Sequence, residues 1–179
     1  MELRTDRCIL RPFRTADAAS LARHANDRGV WINLRDLFPH PYTLADAEWY
    51  ITQVGDEVPV MRFAIDVDGD AVGSVGLMLG SDIERRSAEI GYWLGRAYWG
   101  RGIVSAAVVA VTAYAFRQLD LLRVFAVPFV RNPASVRVLE KAGYRREGTM
   151  RCSAIKDGVV LDQYLYATVR ASDGCPPSS

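Results

Sequence analysis

Tyr98-Trp99-Gly100-Arg101-Gly102-Ile103-Val104-Ser105 decides how the rest of the chain is read, because it passes directly from a strand into a helix. The strand before it is Ser87 to Leu94 (SAEIGYWL), and the helix after it is an apolar run ending near Gln118. Backbone N–H groups at a helix start lack intrahelical partners and sit at the positive end of the macrodipole, so they suit a diphosphate. Gly100 and Gly102 let that backbone approach a ligand with no Cβ in the way, and Arg101 adds a cation. A lone G-x-G also makes a tight turn without any ligand. The Walker pattern is absent, since no Gly-Lys-Ser/Thr follows, and the dinucleotide fingerprint lacks its third glycine.

Working outward, Met61 to Val67 alternates, Asp68-Gly69-Asp70 supplies a hairpin turn, and Ala71 to Leu79 returns. Upstream, Cys8 to Phe13 reads as a strand, and Thr15 or Asp17 caps a helix towards Ala25. Trp31 to Tyr42 (WINLRDLFPHPY) is irregular, and Thr43 with Asp46 makes a capping-box start for a helix through Ile51. Downstream, Val124 to Pro128 is a short strand. Asn132 then N-caps a helix with Pro133 in its first turn, Val136 and Leu139 as its buried stripe, and Gly143 past its end. Tyr144 to Met150 and Val159 to Val169 close the chain as strands joined across Lys156-Asp157-Gly158. This order predicts an α+β fold with a mixed, largely antiparallel sheet flanked by helices. Residues 1–170 are expected to form one domain and 171–179 (ASDGCPPSS) a disordered tail.

The balance of charges excludes some functions. With 22 Lys and Arg against 21 Asp and Glu, the net charge is +1, too even for a chain that neutralises nucleic-acid phosphates. The longest apolar stretch, Ile103 to Phe116, is shorter than the ~20 residues that cross a membrane. Cys8, Cys152 and Cys175 match neither a disulfide framework nor a zinc pattern, and the N-terminus lacks a signal-peptide core. The expectation is a cytoplasmic protein with no metal, no nucleic acid and no membrane partner; a homodimer is compatible with it.

Four motifs in order, E-I-G-Y-W-L (89–94), Y-W-G-R-G-I (98–103), N-P-A-S-V-R-V-L-E-K-A-G-Y (132–144) and R-E-G (146–148), together resemble the GNAT acyltransferase superfamily. Within it they are most similar to the branch of the ribosomal-protein N-terminal acetyltransferases RimJ and RimL. The resemblance implies a sheet splayed into a V that holds the pantetheine arm of acetyl-CoA, the acyl donor. The backbone of Tyr92, Trp93 and Leu94 would pair with the pantetheine amides. The N–H groups of Gly100, Arg101, Gly102, Ile103, Val104 and Ser105 would hold the diphosphate, and Asn132 would reach the pantetheine arm. One departure is Val104, where the family's Q/R-x-x-G-x-G/A pattern has glycine or alanine.

Acyl transfer needs a neutral amine beside the thioester, so a base is required. Glu89 is the candidate: it lies on the cleft strand between Ala88 and Ile90, in the position of the family's catalytic glutamate. As a plain strand residue it would instead pair with Arg85 or Arg86. The family's thiolate-protonating tyrosine falls at Leu139; resemblance to the RimL branch makes Ser135 the substitute donor, the alternatives being that Ser135 is a plain first-turn helix residue and that water protonates the thiolate. The resemblance places the acceptor site in the N-terminal part, where Trp31, Asn33, Arg35, Phe38 and Tyr42 are the candidates; the same aromatics would also serve as a loop-anchoring core. The implied activity is acetyl transfer from acetyl-CoA to a primary amine, either a protein N-terminus or a small molecule. The alternatives are an acyl-CoA-binding module without turnover and, further off, another kind of nucleotide-phosphate binder.

Overall fold

Asp68 and Gly69 adopt positive φ values of 55° and 87°, the turn that folds β3 (Arg62–Val67) onto β4 (Asp70–Leu79) as an antiparallel hairpin. This hairpin is the middle of an eight-stranded sheet in a computed structural model that describes residues 1–55 and 57–170. The predicted tail, Cys175 included, lies outside the described residues. β1 (Leu3–Arg4) and β2 (Ile9–Arg11) extend the sheet on one side. β5 (Ser87–Leu94), β6 (Arg123–Ala126), β7 (Arg145–Lys156) and β8 (Val159–Val169) extend it on the other. The order is β1-β2-β3-β4-β5-β6-β8-β7, and only the β5–β6 pairing is parallel.

Alternation along β3 sends successive side chains to opposite faces. Phe63 and Ile65 enter a core with α4 (Ile103–Gln118) and α5 (Pro133–Lys141), built on Ala107, Val108, Val111 and Leu139. Ala64 joins a second core under α1 (Ala18–Ala25) and α3 (Leu44–Val54), with Leu21, Ala47 and Ile51. The predicted caps of α3 and α5 are present, whereas neither Thr15 nor Asp17 caps α1 with its side chain, the Asp17 carboxylate accepting from Arg11 and the Arg14 N–H instead. Thr43 and Asp46 form a reciprocal box, and Asn132 accepts from the Ser135 N–H at 3.1 Å. Gly143 takes φ 84° just past α5. A buried charge cluster ties the N-terminal strand down: Arg11 bonds Asp17 through both terminal nitrogens, at 2.7 and 2.8 Å, and Asp66 at 2.7 Å.

Three expectations need correction. The strand expected over Cys8 to Phe13 is only β2 (Ile9–Arg11), and an unexpected β1 (Leu3–Arg4) pairs with it where Thr5 turns back onto the Cys8 carbonyl. A short helix, α2 (Arg28–Trp31), precedes the irregular segment and is capped by Asp27 on the Gly29 N–H. β7 runs six residues beyond Met150, since an irregularity between Met150 and Ala154 breaks the alternation without ending the ladder.

Candidate functional site

The β5–β6 ladder has three rungs, Ser87–Arg123, Ala88–Val124 and Glu89–Phe125, and stops. Beyond it β5 stays paired to β4 as far as Leu94, while β6 leads to Pro128 and Phe129, which stay with β8. A sheet that separates between two neighbouring strands exposes backbone donors and acceptors to whatever enters the gap. Which ones follows from alternation. The Ser87 carbonyl accepts from Gly80 on the β4 side, whereas the Arg86 carbonyl accepts from Leu122 on the β6 side. Continued along β5, Tyr92 and Leu94 turn their peptide groups into the gap and Trp93 turns its own to β4. Trp93 is therefore removed from the backbone set expected to meet a ligand; its ring packs edge-on against Phe38.

At the top of β5 the Trp99 indole N–H donates to the Leu94 carbonyl at 2.7 Å, tying the glycine loop to the strand end. Gly100 and Gly102 have φ of 76° and 75°, and a Cβ built on either meets nothing within 4 Å. The space in front of both is open. Gly102 is the N-cap of α4 with no side-chain cap bond, and the first helical bond runs from the Ala106 N–H to the Gly102 carbonyl. The N–H groups of Ile103, Val104 and Ser105 thus lack intrahelical acceptors and point out of the helix start. Arg101 lies over the Tyr98 ring beside them. An open, donor-rich turn with a nearby guanidinium fits a diphosphate. Val104 leaves this geometry intact.

Across the gap, Asn132 uses its side-chain oxygen on the Ser135 N–H, which leaves its amide nitrogen for a ligand. Ser135 Oγ is 2.7 Å from the Tyr92 hydroxyl, so β5 and α5 are joined by a pair of hydroxyls. Burial pushes the Tyr92 phenol up, against a smaller lowering by the Ser135 bond, and keeps it protonated. Leu139 is fully buried in the core. The Tyr92 hydroxyl was not legible in the sequence, because the serine it meets lies 43 residues away.

Glu89 occupies the last rung, at the vertex of the opening. Its side chain is 19% exposed, and both its oxygens accept from Arg35 Nη2, at 2.7 and 2.6 Å. The predicted partners Arg85 and Arg86 are elsewhere: Arg85 bonds the Asp82 carbonyl and Arg86 bonds Asp120. The apolar setting expected for this carboxylate is replaced by an ion pair. Next to Arg35 lies a cavity of about 330 Å³ lined by Leu34, Asp36, Val127, Phe129, Ile155 and Lys156 among others.

Of the predicted acceptor residues, Arg35 alone lines that cavity. Trp31 stacks on His40 and carries the Lys156 ammonium 3.7 Å from its ring centre, so it backs the cavity. Phe38 packs on Tyr42 and Trp93. Tyr42 is buried in the second core, and Asn33 turns its amide to the Gly29 carbonyl; both are scaffold rather than lining. Lys156, read from sequence as a turn residue, is 1% exposed and bonds Asp36 at 2.8 Å. No cluster of three or more His, Cys, Asp or Glu among the described residues is placed to hold a metal, and no described helix is long and apolar enough to cross a membrane.

The GNAT acetyltransferase domain matches residues 7–145. An uncharacterized N-acetyltransferase p20 of Bacillus licheniformis is 31% identical over 94% of this chain and 96% of its own. RimJ of Mycobacterium smegmatis, solved with CoA-disulfide, superposes with TM-score 0.79 at 26% identity, covering 94% of this chain and 86% of that one. RimL, a ribosomal L7/L12 α-N-protein acetyltransferase solved with coenzyme A, shares the fold with TM-score 0.84 at 20% identity over 97% and 100%. The split sheet, the open glycine turn and these likenesses agree: the chain belongs to the GNAT acetyltransferases, enzymes that move an acetyl group from acetyl-CoA to an amine.

Proposed function

We propose that Glu89 receives the acceptor amine and that Ser135, held by Tyr92, protonates the departing thiolate. The observation that carries this reading is the position of Glu89: the last paired residue before the sheet opens, ion-paired to Arg35, which lines the neighbouring cavity. Acetyl-CoA, when bound, supplies its acetyl group as a thioester. Tyr92 and Leu94 offer it backbone groups, residues 100–105 their amides, and Asn132 its free amide nitrogen. The Leu94 N–H, beside a carbonyl already engaged by Trp99, polarises the thioester oxygen.

The amine loses its proton to Glu89, directly or through one water, and its nitrogen attacks the thioester carbon. The C–S bond then breaks while the nitrogen gives its remaining excess proton to water; the thiolate takes the Ser135 hydroxyl proton, which water restores, and the Tyr92 phenol holds that hydroxyl in place without giving up its own proton. A thiol pKa near 8.5 makes that last demand modest. Arg35 must leave Glu89 for the amine to enter. The acceptor is a primary amine, a protein N-terminus or a small molecule, bound at Arg35 in the cavity that Trp31 backs. An even charge balance and the unpaired thiols of Cys8 and Cys152 support a cytoplasmic setting.

The test is release of free thiol from acetyl-CoA on addition of amines. Saturable, amine-dependent release is the expected result. Thermal stabilisation by CoA without release from any amine would favour the binding module over the enzyme.

A further inference from the structure

Arg35 and Glu89 form an ion pair at the mouth of the site, and charge counting around it restricts what can enter. The cavity carries two cations, Arg35 and Lys156, and one acid, Asp36. Glu89 brings the balance to two against two. An acceptor arriving as an ammonium adds a third positive charge and takes the carboxylate that Arg35 was using. Released from that carboxylate, the exposed guanidinium gives up its partner at small cost and is left beside the bound ammonium, free to take a new anion. Arg35 is built for that replacement: 65% of its side chain is exposed, and its planar fork matches a carboxylate bidentately.

The loop that presents Arg35 is held in place by its neighbour. Asp36 bonds Lys156, whose ammonium is otherwise enclosed against Trp31, so the backbone at residue 36 is pinned while the Arg35 side chain can swing. The rest of the cavity wall is mostly apolar, with Leu34, Val127, Phe129, Ala154 and Ile155, and its one further polar residue, Gln163, spends its amide on the Val127 carbonyl and the Ser153 hydroxyl. Its volume, about 330 Å³, is at the small end for sites that take a small molecule.

We propose that the acceptor carries a carboxylate beside its reacting amine, as a free α-amino acid with an apolar side chain does. Glu89 then binds the amine and Arg35 the carboxylate, one ion pair being exchanged for two. This deepens the reading above and rests on Glu89 receiving the amine. It also separates free amino acids from protein N-termini, in which an amide replaces the α-carboxylate.

The experiment follows thiol release from acetyl-CoA with leucine, leucinamide and 3-methylbutylamine, which share a side chain and differ at the α-substituent. Rates are expressed per neutral amine, because the three amines differ in basicity. Wild-type kcat/KM is expected to favour leucine over leucinamide by tenfold or more. In Arg35→Gln that ratio should collapse towards one, and Arg35→Lys should restore part of it. Equal use of acid and amide by the wild type would overturn the proposal, as would a preference that survives in Arg35→Gln. Turnover of leucinamide alone would leave the acetyltransferase standing and remove the carboxylate site. The acid-to-amide ratio reads Arg35, whereas kcat in Glu89→Gln reads the base, so the two assignments can fail separately.

Discussion

Glu89 and Ser135 stand on opposite walls of the cleft, and each has a partner that sets what it can do. Removing the charge at Glu89 by Glu89→Gln keeps the side chain's shape and its place on the last β5–β6 rung. Turnover at neutral pH is expected to fall about 10²-fold, the ordinary contribution of a positioned base, with acetyl-CoA affinity nearly unchanged. Steady-state kinetics beside calorimetric titration checks both. At the other wall, the Tyr92 hydroxyl touches Ser135 Oγ, so its effect should pass through that serine. Tyr92→Phe should slow the wild type and change little in a Ser135→Ala background, giving a coupling of about 1 kcal/mol or more in a double-mutant cycle. Additive losses would make Tyr92 a packing residue. Glu89 and Ser135 were legible in the sequence through their motifs. Arg35–Glu89, Tyr92–Ser135 and Lys156–Asp36 were not, since their partners are 54, 43 and 120 residues apart.

Among the elements, the turn into α4 is the one whose chemistry was readable in advance. Two glycines at positive φ and an uncapped helix start follow from local rules, because backbone strain and orphan N–H groups depend only on neighbours in the chain. Gly102→Asp should raise the CoA dissociation constant at least about 100-fold, some 3 kcal/mol, by setting a carboxylate against the diphosphate. Gly102→Asn tolerates the same left-handed backbone without the charge and should stay much closer to wild type. Equal losses in the two variants, measured by calorimetry, would assign the effect to strain and not to anion repulsion. On β5 the sequence named three backbone positions, and alternation in the sheet selects Tyr92 and Leu94. That selection needed the β4 register, which local pattern does not contain.

Across the whole molecule, the sheet is anchored at its N-terminal side by one guanidinium shared between two buried carboxylates. The pairing with Asp17 holds Arg11 charged against the opposing pull of burial. Arg11→Met would leave Asp17 and Asp66 buried without their cation and should cost about 3–5 kcal/mol in urea unfolding. A loss under 1 kcal/mol would mean that water reaches the pair. The triple replacement Arg11→Met, Asp17→Leu, Asp66→Leu should recover much of the loss, since it removes the stranded charges as well.

Taken alone, the sequence determined what depends on short-range physics. Alternation, caps and glycine turns specified the α+β order, and the glycine loop marked a helix start ready for a diphosphate. Only the tertiary structure decided where the sheet parts, which peptide groups of β5 open into the gap, that Tyr42 and Asn33 are scaffold, and that Arg35 covers the candidate base. Those outcomes depend on which distant residues share a surface, because strand register and side-chain pairing are settled by packing the whole chain at once.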